Sequence, residues 1–117
     1  MTEELRVSVD EQGEQGSRVA LSGPLDVATA EEFLATVGRV PGDRDVLLDL
    51  SQLDHLDSVG FAALLRAVDA LRRCGEITLR RAPARVHRLF VLTGADRRLP
   101  FEGARPQGAT RLRGELR

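Results

Sequence analysis

Several residue types are missing or scarce in this sequence. It contains no lysine, no tryptophan and no tyrosine, and phenylalanine occurs at only four positions. Without lysine, the chain cannot form a Schiff base with a carbonyl substrate. Because aromatic rings are so few, the chain also offers little surface on which nucleic-acid bases or sugars could stack.

Cysteine and long apolar runs are equally scarce. The single cysteine, Cys74, cannot form an internal disulfide, and the first ten residues lack the basic start and apolar stretch of a secretory signal. No apolar run approaches the roughly 20 residues that span a bilayer. We therefore expect a protein of the reducing cytoplasm, with any membrane role exerted through a partner.

The charged side chains nearly cancel. Seventeen basic residues, all arginine, oppose 18 acidic ones, for a formal net charge of -1. A chain so balanced has no overall field that attracts nucleic acid or anionic lipid. Its hydrophobic content of 42% suffices for one core. We expect one domain over residues 1–102, followed by a flexible, Arg-rich tail over residues 103–117.

The amino-terminal part of the chain predicts a β-hairpin and then a helix. Residues 5–9 and 18–22 alternate apolar with polar side chains on either side of a polar, Gly-containing segment. Thr29 and Glu32 match a capping box at the start of an apolar stripe with helical spacing. Pro41 and the glycine after it are expected to end that helix.

Strand patterns recur further along. Residues 46–50 are almost continuously apolar, which predicts a central strand covered on both faces, and residues 76–80 alternate as a further strand. A last short strand is expected near Phe101. With the helices between them, these strands predict a mixed α/β fold: a central sheet of four to five strands, an initial β-hairpin and three or more helices.

Two helices are predicted in the second half. An apolar stripe predicts a long amphipathic helix that begins near Ser58 and is stopped by Gly75. Val86, Leu89, Phe90 and Thr93 have helical spacing up to a glycine.

Two loops at the carboxyl ends of predicted strands carry the candidate functional residues. They are Gly23-Pro24-Leu25-Asp26 and Asp57-Ser58-Val59-Gly60, and partners of α/β sheets gather at this edge. The unpaired N–H groups and positive dipole end of a helix amino terminus can accommodate a phosphoryl group on Ser58. A purely structural interpretation stays open: Asp57 and Ser58 as helix caps, Gly60 for close packing, and Asp26 as a turn residue.

Other chemically capable residues form no recognisable site. His55 and His87 lack the spacing of a metal site or catalytic triad, and we expect solvent or capping roles for both. Cys74 is expected to be a small packing residue. The sequence has no phosphate-binding Gly-rich loop of the GxxxxGK[ST] kind.

Residues 47–68, LLDLSQLDHLDSVGFAALLRAV, closely resemble the central segment of STAS domains, in which an apolar strand and a short connector precede Asp-Ser-x-Gly and an amphipathic helix. GPLDVATAEEF and RVHRLFVLTG resemble the preceding Gly-x-Leu-Asp segment and the third helix of that family. The resemblance covers roughly residues 5 to 101, and is therefore not confined to one short motif.

The resemblance is to the anti-sigma factor antagonists among these domains. It implies a bacterial, cytoplasmic stress-response regulator of transcription that binds an anti-sigma factor serine kinase and so releases a sigma factor. It further implies that phosphorylation of Ser58 ends this binding and that a serine phosphatase restores it. It implies no catalytic activity, no cofactor and no metal. The residues expected to contact the partner are Gly23, Leu25, Asp26, Asp57, Ser58, Val59 and Gly60.

This sequence departs from the family at Val59, where a second hydroxyl residue is common. Two alternatives remain. One is a STAS assembly subunit of a lipid-transport or stress-signalling complex without a phosphoswitch. The other is a small enzyme or nucleotide-binding domain, which the missing phosphate-binding loop and nucleophile–base pair disfavour.

Overall fold

Strands and helices alternate along residues 4–103, the part of the chain that the computed structural model describes. The strands and helices, in chain order, are β1 (Arg6–Glu11), β2 (Ser17–Leu25), α1 (Ala30–Val37), β3 (Val46–Leu56), α2 (Ser58–Leu71), β4 (Ile77–Arg80) and α3 (Ala84–Thr93). The predicted mixed α/β fold is confirmed. Nearly all of the predicted tail lies outside the described residues.

The four strands form one sheet in the order β1-β2-β3-β4. β1 and β2 pair antiparallel, as the predicted hairpin requires, whereas β2 with β3 and β3 with β4 pair parallel. Each parallel connection contains a helix, as such crossovers usually do. Instead of a fifth strand, Phe101 forms a single parallel bridge with Leu79. The carboxyl ends of β2, β3 and β4 therefore lie at one edge of the sheet.

One face of the sheet carries the hydrophobic core. Val19, Leu48 and Leu79 share a row across β2, β3 and β4, and all are fully buried. The helices contribute Phe33 and Phe90, among others, to the same core. Burial of such apolar surface is the main contribution that favours folding.

The opposite face of the sheet is polar, whereas the apolar run of residues 46–50 predicted a central strand covered on both faces. Asp49 of β3 faces this side, where Arg18 donates a 2.6 Å hydrogen bond to its carboxylate and Arg80 lies 3.7 Å away. Burial by itself raises the pKa of Asp49, but hydrogen bonds from Ser51 and Arg18 outweigh it and hold the pKa below its usual value. These ion pairs allow a carboxylate to sit in the middle of the sheet.

β3 is longer than predicted and continues to Leu56, so the expected connector before Asp57 is largely strand. The register of β2 and β3 shifts between Ala20 and Ser22. This irregularity changes which residues face inward, so that Leu50 and Leu53 are both buried although they are three apart. A pattern with a strict period of two could not reveal such a strand.

Two predicted helix signals act differently from expectation. The Thr29 side chain caps no helical N–H; its hydroxyl donates to the Pro24 carbonyl and accepts from the Asp26 N–H, so the capping box is wrong. Helix α2 ends at Leu71, and Gly75 does not terminate it in a left-handed conformation. Gly75 is needed for another reason, since a Cβ there would lie 2.9 Å from the Arg44 carbonyl oxygen. By contrast, α3 ends at Gly94, where the predicted helical spacing ends, and this glycine caps the helix in the left-handed region.

Candidate functional site

The first predicted loop, residues 23–26, is largely strand in the structure, because β2 continues to Leu25 and only Asp26 lies beyond it. Gly23 has a φ of +98°, and a Cβ there would lie 2.6 Å from the Glu4 carbonyl oxygen, so only glycine fits without strain. The Leu25 side chain is fully buried and anchors the loop to the core. Asp26 is partly exposed, and its carboxylate accepts the Ala28 N–H at 3.0 Å. Asp26 therefore has the turn role that its sequence context allowed.

The second predicted loop begins helix α2. Asp57 is the N-cap, with its carboxylate oxygen Oδ1 accepting the Gly60 N–H at 2.7 Å, and Ser58 is the first helical residue. The structure thus assigns the capping role to Asp57 and not to Ser58. Ser58 is exposed. Its position lets the positive end of the α2 dipole favour an anion next to it.

Asp57 also joins the two loops. Its second carboxylate oxygen, Oδ2, accepts the Val27 N–H at 3.1 Å, and its own N–H donates to the Leu25 carbonyl at 3.4 Å. The hydrogen bond from Gly60 is the largest cause that lowers the pKa of Asp57; burial opposes it, and Val27 and nearby His55 add to the lowering. Asp57 is therefore ionised at neutral pH and holds both loops in one arrangement.

Gly60 allows these loops to approach closely. An added Cβ would lie 2.0 Å from the Leu25 carbonyl oxygen, which is far inside any permitted contact. The helix therefore packs directly on the backbone of the first loop. The packing role that the sequence allowed for Gly60 is present in the structure.

The surface around Ser58 is partly apolar. Val27 is 69% exposed and Val59 is 45% exposed, and both flank the site. Leu25 and Gly60, in contrast, are buried, so they shape this surface from beneath. Val27 was not among the predicted contact residues; the signal that could have found it is an apolar residue in a polar turn directly after Asp26.

The two histidines have different surroundings. His55 is exposed near Asp57, whereas His87 is only 8% exposed and packs edge-on against Phe101, with ring centroids 4.8 Å apart. The expected solvent or capping role of His87 is therefore wrong. Half-buried Cys74 packs against the core, which agrees with the prediction.

Within residues 4–103, no three histidine, cysteine or acidic side chains are grouped so that they could hold a metal ion. In the same described part of the chain, no helix combines the length and apolar character needed to cross a bilayer. The site is thus a surface that presents the Ser58 hydroxyl at a helix amino terminus. The Asp57 carboxylate, which accepts hydrogen bonds from both loops, holds this surface in place.

Comparison with known proteins yields relatives over almost the whole described region. The chain is 29% identical over 99 residues to BtrV from Bordetella bronchiseptica, whose name assigns it provisionally to the anti-sigma factor antagonists; the match covers 82% of this chain and 85% of BtrV. An anti-sigma factor antagonist from Mycobacterium paratuberculosis superposes with a TM-score of 0.72 at 23% identity, covering 89% of this chain and 92% of that one. Unphosphorylated SpoIIAA, an anti-sigma factor antagonist, gives a TM-score of 0.54 at 18% identity, covering 85% and 89%.

The two structural likenesses establish the fold. A family model described as Mlab, STAS domain, matches residues 7–101, most of the chain. The chain therefore belongs to the STAS domain family.

Proposed function

We propose that this protein is an anti-sigma factor antagonist of the bacterial cytoplasm. In its unmodified form it binds an anti-sigma factor serine kinase and so releases a sigma factor; phosphorylation of Ser58 ends the binding and a serine phosphatase restores it. The domain itself catalyses nothing and needs no cofactor. Membership of the STAS family and the similarity to BtrV support this proposal.

The observation that carries the proposal is the exposure of Ser58 at the amino terminus of α2. A kinase can reach a side chain there, and neither core packing nor a capping hydrogen bond has to be broken first. The partner surface is formed by the segments 23–26 and 57–60, in which buried Leu25 and Gly60 give support from beneath, and we add exposed Val27. The exposed valines of this surface supply apolar contact area, and Asp57 holds its two halves together.

The physical effect of phosphorylation falls on binding and not on folding. A phosphoserine adds about -1.5 to -2 charges at neutral pH. The free N–H groups and dipole at the start of α2 hold that charge in place. A partner that docks onto the unmodified surface, however, would meet the new charge next to Asp57 and Asp26. Like-charge contact and the cost of desolvating the phosphate then weaken the complex.

The acceptor residue is tested by phosphorylation with the cognate kinase. Incubation with the kinase and ATP, followed by mass spectrometry, is expected to show one phosphate on the wild type and none on Ser58→Ala. Ser22→Ala is a matched control, because Ser22 is also exposed but lies on β2. If Ser58→Ala were still modified, Ser58 would not be the acceptor.

The switch is tested with Ser58→Asp and its uncharged counterpart Ser58→Asn. We expect Ser58→Asp to weaken partner binding in calorimetry by at least about tenfold, or about 1.4 kcal/mol, with Ser58→Asn close to the wild type. Both melting temperatures should stay close to that of the wild type, since exposed substitutions change stability by only about 0.5 kcal/mol. Equal affinities of Ser58→Asp and the wild type would refute the electrostatic mechanism.

A second candidate function is that of an assembly subunit in a lipid-transport or stress-signalling complex, with Ser58 as a simple contact. The description of the matching family model, Mlab, is the observation that favours it, because that description is not of an antagonist. Purification of the tagged protein from its host separates the two: an antagonist retains a soluble kinase, whereas a transport subunit retains an ATPase and a permease.

A further inference from the structure

A groove separate from the Ser58 site runs along helix α3. It begins where the chain leaves β4 and follows one side of α3, with a volume of about 590 Å³. Pockets that hold small organic ligands fall within roughly 300 to 1,000 Å³. The lining residues with functional side chains or exposed apolar area are Arg81, His87, Arg88, Val91 and Leu92.

Two arginines give the groove a positive charge. Neither Arg81 nor Arg88 forms an ion pair within residues 4–103, where the paired arginines are Arg18, Arg44 and Arg80. Helix α3 itself carries no acidic residue. An anion that entered the groove would therefore find guanidinium groups without a competing carboxylate on the same helix.

His87 supplies a polar atom without a partner. Its side chain lines the groove, yet its Nδ1 atom is buried and has no hydrogen-bond partner among the described residues. Native proteins rarely leave a buried polar atom unsatisfied, because such an atom has lost its hydrogen bonds to water without gaining others. A neutral imidazole can donate a hydrogen bond from Nδ1, so an anionic oxygen in the groove is a suitable partner once the ring turns this buried atom toward it.

The other part of the groove is apolar and exposed. Val91 is 53% exposed, and Leu92, the next residue of α3, is 69% exposed. Side chains of this kind gain free energy when an apolar group covers them. The groove thus combines an anion-binding part with an uncovered apolar part.

From these features we infer that the α3 groove binds a single-chain anionic amphiphile, with its acidic head at Arg81, His87 and Arg88 and its alkyl chain along Val91 and Leu92. This inference does not depend on the proposed phosphoswitch, because the groove uses none of the residues around Ser58. The ligand enters the groove as a free fatty carboxylate, and binding to a membrane surface is an alternative outcome of the test.

The test is a titration of the full chain with decanoate below its micelle concentration, observed through the imidazole signals in proton NMR. The chain has two histidines, so exposed His55 is an internal control. Decanoate is expected to shift the His87 signals and leave those of His55 unchanged. It should also raise the pKa of His87, which burial and, less strongly, Arg81 hold below the usual value against the opposite influence of Asp96. A bound carboxylate favours the imidazolium.

Matched variants assign the two parts of the groove. Arg88→Gln is expected to raise the Kd for decanoate by about tenfold through the lost charged hydrogen bond. Leu92→Ser should raise it by a similar factor, about tenfold, through lost apolar contact. Arg85→Gln and Val9→Ser are the controls, since both replace exposed residues outside the groove, and they should leave the Kd unchanged. All four positions are exposed, and circular dichroism checks that each variant folds.

Three results would overturn the inference. Decyltrimethylammonium has the same chain and the opposite charge, and its binding as tightly as decanoate would remove the role of the arginines. His87 signals that do not move at any decanoate concentration would exclude the site. Binding to phosphatidylglycerol vesicles without any response to monomeric decanoate would replace the groove with a membrane-facing surface.

Discussion

Replacing Gly60 with alanine tests whether α2 packs directly on the backbone of the first loop. The added Cβ would lie 2.0 Å from the Leu25 carbonyl oxygen and 2.6 Å from its carbon, and both distances are well below the 3.4 Å at which ordinary contact begins. Both atoms belong to the backbone, so no side chain can rotate away. The loops must therefore separate, which strains the bonds that Asp57 accepts from Val27 and Gly60.

The expected loss of stability follows from these contacts. Forcing a methyl group into a well-packed site costs about 1 to 3 kcal/mol, and two weakened hydrogen bonds add about 1 kcal/mol each. The better helix propensity of alanine returns about 1 kcal/mol. The free energy of unfolding should thus fall by about 2 to 4 kcal/mol. For a domain of this size, this lowers the melting temperature by roughly 8 to 16 °C.

Thermal unfolding followed by far-ultraviolet circular dichroism measures this change, because a chain without tryptophan or tyrosine is unsuited to intrinsic fluorescence. Gly42→Ala is the matched control: Gly42 is exposed, has no positive φ, and a Cβ there would meet nothing within 4 Å. It should change stability by at most about 0.5 kcal/mol. If Gly60→Ala melted within about 2 °C of the wild type, a shift of well under 1 kcal/mol, the close approach of helix and loop would be refuted.

The remaining predictions concern two titrating side chains. Asp57→Ala should cost about 2 kcal/mol at pH 7 in urea unfolding, through the lost cap and the lost bond to Val27. Because hydrogen bonds from Gly60 and Val27 lower the pKa of Asp57, this difference in unfolding free energy should persist above about pH 4 and shrink as the pH falls further. A stability difference that is unchanged at pH 2 would contradict this prediction. His87→Phe should melt at or above the wild-type temperature at pH 7.5, since it removes the unpartnered Nδ1 atom. Burial lowers the pKa of His87, so the wild type should lose stability as the pH falls below about 6.5. His87→Phe should lack that loss of stability, and identical pH profiles of stability for the variant and the wild type would count against this prediction.

The predicted elements were largely correct where local periodicity decides the structure. The hairpin, the helix after Ser58 and the helix up to Gly94 all follow from side chains within a few positions of one another. Such patterns depend on which face of a single element is apolar. The prediction failed at β3, where the irregular pairing with β2 continues the strand to Leu56 without a regular alternation.

The candidate site was predicted in part. The motif placed Ser58 at the start of a helix, as the structure does, but it could not tell which of Asp57 and Ser58 caps that helix. The answer depends on backbone angles at a helix end, and the side chains of both residues can serve. Val27 was not singled out, because its exposure and its hydrogen bond to a carboxylate 30 positions away arise only in the folded chain.

By itself, the sequence determined the alternation of strands and helices, the order of the two loops and the presence of a serine at a helix amino terminus. Only the tertiary structure decided that one face of the sheet is polar, that His87 is buried and that Asp57 joins both loops. The physical reason is the range of the interactions. Helical and strand periodicity arises between near neighbours in the chain, whereas Arg18 with Asp49 and Val27 with Asp57 meet only after the parallel strands have been paired.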